Sequence, residues 1–465
     1  MNATGLRTAY RTISQFHENR QLIAWLSSQS WVIWLTPERR KSVLFYGAIV
    51  AGAVGVFSRN AKWRDYRALA PWLEHGLAFL FLLGLLYVLY LAAVNFKHLP
   101  ATVRGRPQIC FHLLFWLLLV ILWFYPVPDG LGFAVLSAIA VSFPYLIWRA
   151  GYMLLSGQRG KAVNSRFRDH LFYIWPIWDG TNTPPGKGHD YLSRTEAQTP
   201  ENYARTILCG CKLLLLVALW KLVLDLIGAL IYGDPKSSFS ALFRGYTLGI
   251  PRLKQILSAR MVLSLVQVWF SLYLELIWET LSLASKGHVW VGVIRLFGFN
   301  IFRNTYKPLL AQTIVEFWNR YYYYFKELMM ECFFLPTYAR YFRNWPRLRI
   351  IAAVFAAAFA GNMYYHLLQH KDPLILGEWG KLWGLLGARL IYCGLLAGGI
   401  MISMLRQQRH RSRLQVLPSA ASQRWRRLRG MAGVWTFFAI INFWNVISNL
   451  AIAERARLFF SLFGL

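Results

Sequence analysis

The sequence predicts an all-α protein that crosses a membrane many times. Of its 465 residues, 56% are hydrophobic and only 15% are charged, and the mean hydropathy is +0.36. This apolar content exceeds what a single soluble core buries. Apolar runs long enough to cross about 30 Å of hydrocarbon, together with a charge-interrupted run at 308–335, predict about ten to twelve membrane helices. The uninterrupted runs lie at 42–58, 71–95, 109–126, 131–149, 206–232, 259–284, 350–368, 382–405 and 431–452.

The first apolar stretch, QLIAWLSSQSWVIWL, is interrupted by the polar residues 27–30 and has no small-residue cleavage site. It therefore predicts an interfacial or re-entrant helix rather than a signal peptide. The five cysteines lie in or beside apolar runs, at spacings that fit neither a zinc site nor a disulfide framework. We interpret them as small buried hydrophobes and expect no metal site.

The charge distribution predicts which loops face the cytoplasm. The net charge is +31, and the basic residues are concentrated between the apolar runs. The positive-inside bias explains this placement better than nucleic-acid binding does. Segment 406–429 carries eight arginines and no acidic residue, and 149–168 is also basic, so both are predicted to be cytoplasmic. The acidic turn at 126–130 and the loop after His366 should then face outward.

The chain shows no internal repeat that would divide it. The one extended hydrophilic stretch, 178–205, is rich in Gly, Pro and Asn and predicts a loop. Apolar runs continue on both sides of this stretch. We therefore expect a single helical membrane domain over 1–465, with a polar cytoplasmic loop at 178–205 and an Arg-rich cytoplasmic loop at 406–429.

Residues 308–349 do not fit a simple crossing. The run 308–335 lies between two basic flanks, and the positive-inside bias places both flanks in the cytoplasm. A re-entrant helical hairpin near 308–345 resolves this conflict. Such a hairpin is tolerated at membrane depth only where protein or a water-filled cavity covers it. The sequence therefore predicts a cavity just before His366.

Polar residues inside this region recur every three or four positions, which predicts one shared face of one helix. Two interpretations remain open: a structural ion-pair network, such as Glu316 with Arg320, or direct contact with a substrate. The residues concerned are Glu316, Asn319, Arg320, Tyr323 and Glu327.

His366 also has two interpretations. As a structural residue, it would donate a hydrogen bond to a backbone carbonyl or to Asn362, one turn earlier. As a functional residue, it would be a general base that takes the proton of a hydroxyl attacking an activated acyl carbon. An imidazole suits this role because it titrates near neutrality, whereas an isolated carboxylate in hydrocarbon would stay protonated. His370 lies nearer the aqueous end of the segment.

Four segments carry a resemblance to a known family. The run GFNIFRNTYKPLLAQTIVEFWNR (298–320) resembles the signature of the membrane-bound O-acyltransferase family, in its bacterial branch of alginate O-acetyltransferases and teichoic acid D-alanyltransferases. Three more segments resemble family motifs in the same order: VSFPYLIWRAGYMLLSGQRGK (141–161), FYIWPIWDGTNTP (172–184) and GNMYYHLL (361–368). Together they define a family-like core over about 135–370.

The resemblance implies many tilted helices around a tunnel, with His366 deep in the membrane between a cytoplasmic donor and an outward-facing acceptor. It implies an O-acyltransferase that moves an acyl group, such as acetyl, from acyl-CoA or an acyl carrier protein to an envelope polysaccharide or lipid. No bound cofactor is expected. The catalytic residues would be His366 and Tyr322. The substrate-binding residues would be Asn319, Arg320, Asn362, Tyr323, Glu316 and Trp318.

Three departures from the family pattern keep an alternative open. Tyr321 and Tyr322 stand where the family has Trp-His, Tyr365 replaces a Trp, and DGTNTP replaces Gly-Pro-Ile. A tyrosine hydroxyl, with a pKa near 10, is a poor base at neutral pH, although it can orient a reactant. The alternative is a non-catalytic scaffold or transporter subunit of an envelope-assembly complex.

For either function, the expected location is a bacterial inner membrane. The expected partners are membrane lipid, the acyl thioester or an acidic carrier protein at the cationic face, and the acceptor. A periplasmic or membrane protein is a further expected partner. Nucleic acid is not expected as a partner.

Overall fold

The structure, a computed structural model, describes residues 15–57, 70–126, 130–170, 187–259, 263–411, 420–446 and 450–464. It is 80% helical, and the described residues contain no β-strand, which confirms the all-α prediction. Among these residues the only isolated β-bridge joins Glu196 and Phe299.

The α-helices of the described residues follow in chain order. They are α1 (Arg20–Ser27), α2 (Ser30–Trp34), α3 (Pro37–Phe57), α4 (Pro71–Val94), α5 (Ala101–Gly105), α6 (Pro107–Trp123), α7 (Leu131–Gln158), α8 (His189–Thr195), α9 (Pro200–Ile227), α10 (Leu253–Ala259), α11 (Leu265–Leu296), α12 (Ile314–Tyr321), α13 (Tyr323–Met329), α14 (Leu335–Arg340), α15 (Pro346–Val354), α16 (Asn362–Gln369), α17 (Lys371–Ile375), α18 (Trp379–Arg411), α19 (Ala420–Asn445) and α20 (Ile452–Ser461). Three π-helical segments join them, at Gly228–Tyr232, Met330–Phe334 and Phe355–Gly361.

Several helices are long and apolar enough to cross a membrane, which indicates a membrane protein. Within the described ranges, four helical stretches meet this criterion by length and composition: Trp72–Val94, Pro200–Tyr232, Pro346–Gln369 and Trp379–Gln408. A bent pair within α7 raises the number to five if it counts as one span. These stretches coincide with predicted apolar runs.

The chain forms two compact units. The first comprises Met1–Leu215, His288–Phe302 and Ile375–Gly377, and the second comprises Leu216–Gly287, Arg303–Leu374 and Glu378–Leu465. The predicted core 135–370 therefore contributes residues to both units.

In the first unit, α4 and α6 pack against α7. Ser142 of α7 donates a hydrogen bond to the carbonyl of Ala78 at 3.0 Å. Gly157 lies so close to α4 that an added Cβ would stand 2.6 Å from the carbonyl oxygen of Ala93. Both residues belong to the segment 141–161, so its small side chains permit the close approach of two apolar helices.

In the second unit, α18 packs against α12, α15, α16 and α19. The buried core of this unit includes Phe317 of α12 and Phe438 of α19, whose rings stack with centroids 3.8 Å apart. This aromatic contact fixes one end of α12 beside the cavity described below.

The prediction that Glu316, Asn319, Arg320, Tyr323 and Glu327 share one face of one helix is wrong. A 3₁₀ turn at Pro308–Leu310 precedes α12, and Thr313 caps α12 by accepting a hydrogen bond from the amide of Glu316 at 3.1 Å. Tyr322 then leaves the helical conformation, with φ −142° and ψ 76°, before α13 begins. The polar residues of this region therefore do not share one helix face. Glu316, Asn319 and Arg320 lie on α12, whereas Tyr323 and Glu327 lie on α13.

The described parts of two predicted loops are largely helical. Residues 187–205 of the predicted loop 178–205 include α8 and the start of α9, and 178–186 lie outside the described residues. Likewise, α18 extends to Arg411 and α19 begins at Ala420. Arginine is a good helix former, so the helices continue past their apolar parts into the Arg-rich segment.

Candidate functional site

A cavity of about 170 Å³ lies within the second unit. Its polar lining includes a carboxylate, an imidazole, four carboxamides and four phenols, set among apolar and aromatic rings. The lining residues are Leu276, Glu279, Leu283, Phe317, Trp318, Tyr321, Tyr322, Phe325, Asn362, Tyr365, His366, Gln369, Tyr392, Phe438, Asn442 and Asn445. This is the cavity that the sequence predicts beside His366.

Four of the eight predicted site residues line this cavity: His366, Tyr322, Asn362 and Trp318. The other four are not among its lining residues. Glu316 and Arg320 form an ion pair with atoms 2.5 Å apart, as the structural interpretation of these residues predicted. Asn319 is exposed on α12, and Tyr323 stacks beneath the ammonium of Lys326. Three of these residues lie on α12 and Tyr323 lies on α13, because the helix is interrupted at Tyr322.

The position of Tyr322 is fixed by the buried residue Asn304. The backbone amide of Tyr323 donates to the Asn304 carbonyl at 2.8 Å, and that of Tyr324 to its Oδ1 at 3.3 Å. Asn304 is 1% exposed, so these bonds are shielded from water. The Tyr322 ring stacks on Phe325 with centroids 5.4 Å apart. The interruption of the helix therefore places this phenol in the cavity wall.

The cavity residues of α16 follow a π-helical segment. Asn362, Tyr365, His366 and Gln369 recur at helical spacing and line the same cavity. In the preceding segment, Gly361 lies against Phe333, where an added Cβ would stand 2.7 Å from the ring. π-Helical turns of this kind occur frequently at functional sites.

The hydrogen bonds of His366 involve one ring nitrogen. Its Nδ1 lies 2.6 Å from Nη1 of Arg389 and 3.3 Å from Oε1 of Gln369. Neither partner is Asn362 or a backbone carbonyl, so the structural interpretation of His366 named the wrong partners. Arginine can only donate, so Nδ1 accepts this bond. A neutral imidazole then carries its hydrogen on Nε2, and the Gln369 amide must turn its nitrogen toward Nδ1.

Arg389 lies in the apolar helix α18. Its guanidinium forms no ion pair within the described part of the chain, and its Nε is buried without a hydrogen-bond partner. Burial, and then the nearby positive charge of Arg389, lower the pKa of His370. His370 is not a lining residue of the cavity. Among the residues described, no group of three or more His, Cys, Asp or Glu side chains could hold a metal ion.

Three cavity or neighbouring residues were missed from the sequence. Glu279 lines the cavity with an accessible side chain, and Asn442 is 8% exposed with an Nδ2 that has no hydrogen-bond partner. Arg389 is the third. Two of them had a signal: Glu279 forms an acidic pair with Glu275 in an apolar run, and Arg389 is a single charge in another. Ionisable residues within apolar helices usually face an interior or a pathway.

The first unit contains a second polar cluster, here called the Glu196 cluster and comprising Glu38, Arg40, Lys41, Arg168 and Glu196. Lys41 lies 3.3 Å from the Glu196 carboxylate, whose side chain is 3% exposed. Arg40 donates to the carbonyls of Leu35 and Ala197, and Arg168 pairs with Glu38. Opposite charges pair within the cluster, so we interpret it as structural rather than reactive. Oε1 of Glu196 and Nε of Arg40 and Arg168 are nevertheless buried without a hydrogen-bond partner.

Comparison with known proteins adds no assignment. No family model matches the chain, and no curated protein matches it at a significant level. Of the four motif-like segments, all of 172–184, including DGTNTP, lies outside the described residues. The candidate site therefore rests on the geometry of the second unit.

Proposed function

We propose that this chain is a membrane-embedded O-acyltransferase that moves a small acyl group from a thioester donor to a hydroxyl. One observation carries the proposal. Residues of two segments that resemble the same family line a single cavity: Trp318 from 298–320, with Tyr322 two residues after that segment, and Asn362 and His366 from 361–368. A shared role in one reaction requires this convergence of the two segments on one cavity.

The cavity chemistry suits acyl transfer. The acceptor oxygen attacks the thioester carbonyl carbon, a C–O bond forms, the C–S bond breaks, and the hydroxyl proton passes to the departing thiolate. His366 is the imidazole at the reacting centre, while Asn362 and Tyr322 orient the reactants. A volume of about 170 Å³ is below that of ordinary ligand pockets, which favours a short acyl group such as acetyl.

The basic segments provide a docking face for the donor. In this proposal 149–168 and 406–429 face the cytoplasm and attract the phosphates of coenzyme A or an acidic carrier protein. Anionic lipid headgroups are attracted by the same charges. The acceptor is an envelope polysaccharide or lipid at the outer face of a bacterial inner membrane, with a periplasmic or membrane protein as a further partner.

The proposal includes a membrane arrangement. About ten to twelve spans surround a tunnel, and the region 308–345 enters the membrane as a re-entrant hairpin. The length of α12 supports this, because a helix of 8 residues is about 12 Å long, too short to cross about 30 Å of hydrocarbon. The cavity wall formed by α12 and Tyr322 would then line the tunnel.

Replacement of His366 tests the function. The protein is reconstituted in lipid nanodiscs with an acyl thioester, and transfer to host surface glycans or lipids is followed by mass spectrometry. His366→Ala should lower kcat by about 10²-fold or more, since a group acting on the reacting atoms is lost. His370→Ala is the matched control, because His370 lies on the same segment but outside the cavity lining, and it should retain activity.

The two variants separate the outcomes. Both must first insert and remain monodisperse at wild-type yield. Undiminished acylation by a well-folded His366→Ala protein would overturn the catalytic proposal and favour the scaffold or transporter alternative.

A further inference from the structure

Arg389 occupies an unusual position for a charged side chain. It lies in the apolar helix α18, where an arginine is costly, yet it forms no ion pair with any residue that the structure describes. Its side-chain hydrogen bond goes to Nδ1 of His366 at 2.6 Å. The charge is therefore directed at the imidazole rather than neutralised by a carboxylate.

This contact determines which hydrogen bond His366 can offer to the cavity. A general base needs a lone pair on the nitrogen that faces the reactant. Nδ1 uses its lone pair to accept the hydrogen bond from Arg389. A second lone pair on Nε2 would make the ring an imidazolate anion, which does not form at neutral pH. The contact with Arg389 and a base role for Nε2 therefore exclude each other.

We propose that Arg389 is a positioning residue that holds His366 with its hydrogen on Nε2, so that His366 donates a hydrogen bond to the acyl carbonyl oxygen. This inference rests on the proposed acyl transfer and changes the role given to its histidine. In the tetrahedral intermediate, the Nε2 hydrogen would stabilise the negative oxygen formed from that carbonyl. The guanidinium behind the ring would strengthen this donor.

A second group must then take the proton, and the cavity offers Glu279. Glu279 is an exposed residue and lines the same cavity. The acceptor hydroxyl gives its proton to Glu279 as the C–O bond forms. When the C–S bond breaks, the proton passes from Glu279 to the thiolate, so the carboxylate is regenerated. No other reactant is required.

Other polar groups near His366 do not replace Arg389. Gln369 and His370 come from its own segment, and Tyr322 and Tyr392 come from other walls of the cavity. Gln369 can turn either end of its amide toward Nδ1, so it does not select a tautomer. Arg389 can only donate a hydrogen bond, so it selects the tautomer of His366 in which Nδ1 is bare.

Kinetics in nanodiscs distinguish a donor from a base. His366→Gln keeps an N–H donor near the position of Nε2 but provides no base, so kcat should stay within about tenfold of wild type, whereas His366→Ala should lose about 10²–10³-fold. Glu279→Gln should lower kcat by about 10²-fold or more. Equal losses in His366→Gln and His366→Ala would overturn the donor role, and an unchanged kcat in Glu279→Gln would overturn its role as proton acceptor.

Nitrogen NMR of ¹⁵N-histidine-labelled protein tests the tautomer without any turnover. The His366 signals, assigned by their loss in His366→Gln, should show a protonated Nε2 and a bare Nδ1. Arg389→Lys keeps a cationic donor and should preserve this pattern and most of kcat, whereas Arg389→Met should abolish both. A protonated Nδ1 in the wild type would overturn the inference.

Failure of the proposed function gives a different result. If no thioester is turned over while the Nε2–H form is observed and depends on Arg389, acyl transfer fails but the positioning by Arg389 stands.

Discussion

The two units of the chain place buried polar residues in different surroundings. In the first unit, the Glu196 cluster pairs acids with bases, as in the pair of Lys41 and Glu196 at 3.3 Å. In the second unit, the cavity wall contains a buried amide nitrogen without a hydrogen-bond partner, Nδ2 of Asn442, and the nearby Arg389 has no carboxylate partner among the described residues. Polar groups that neutralise each other stabilise a fold, whereas groups left unsatisfied are available to a ligand.

The largest expected effect that tests this contrast is in the Glu196 cluster. Glu196→Leu should lower the free energy of unfolding by about 3 kcal/mol, because it leaves Lys41 without its buried partner. Thermal unfolding in nanodiscs measures this loss. Glu38→Leu is the control, since the Glu38 side chain is 64% exposed and its pairs should contribute less than about 1 kcal/mol. Equal effects of the two substitutions would contradict the contrast.

A smaller effect concerns a buried histidine of the first unit. Burial lowers the pKa of His170 to about 3, and the ring is 0% exposed, 2.9 Å from Oγ of Ser165. Below about pH 6.5 the unfolded chain binds a proton at this position while the folded protein does not. The free energy of unfolding should therefore decrease as the pH is lowered, by about 1 kcal/mol from pH 7 to pH 5.5.

His170→Gln should flatten this part of the pH profile of Tm. His189, whose pKa is also lowered by burial, contributes in the same direction and remains in the variant. An unaltered profile would show that His170 is protonated equally in both states.

The smallest expected change in stability tests the cavity directly. Asn442→Leu removes a buried amide nitrogen without a partner, so the free energy of unfolding should stay constant or rise by about 1 kcal/mol. Acyl transfer should nevertheless fall, because the cavity loses a hydrogen-bonding group. The matched control is Ser142→Ala in the first unit, where a satisfied buried hydroxyl is lost and stability should fall by about 1 kcal/mol. A large destabilisation by Asn442→Leu would contradict the contrast.

Much of the helical framework could be predicted from local composition. The long apolar runs near 71–95 and 382–405 correspond to α4 and α18 because hydrocarbon-length hydrophobicity is a property of consecutive residues. The cavity beside His366 was also predicted, from the conflict between charged flanks. The ion pair of Glu316 and Arg320 followed from their spacing of four residues.

The remaining features depend on contacts between distant residues. Tyr322 leaves the helix because Asn304 accepts hydrogen bonds from the amides of Tyr323 and Tyr324. Helical spacing in the sequence does not predict that contact. Similarly, the partner of His366 is Arg389, which lies 23 positions away on another helix. Helical periodicity indicates which residues share a face, but it does not indicate which face of another helix they meet.

The π-helical segment Phe355–Gly361 has a consequence for tracing the ancestry of this site. A π-helical turn usually accommodates one residue more than an α-helical turn, and one residue changes the direction of a side chain by about 100°. In a relative whose helix is uninterrupted, the position equivalent to His366 would therefore be displaced by one in an ungapped alignment. Homologues should be aligned with a single-residue gap before Asn362, placed where Phe333 packs on Gly361.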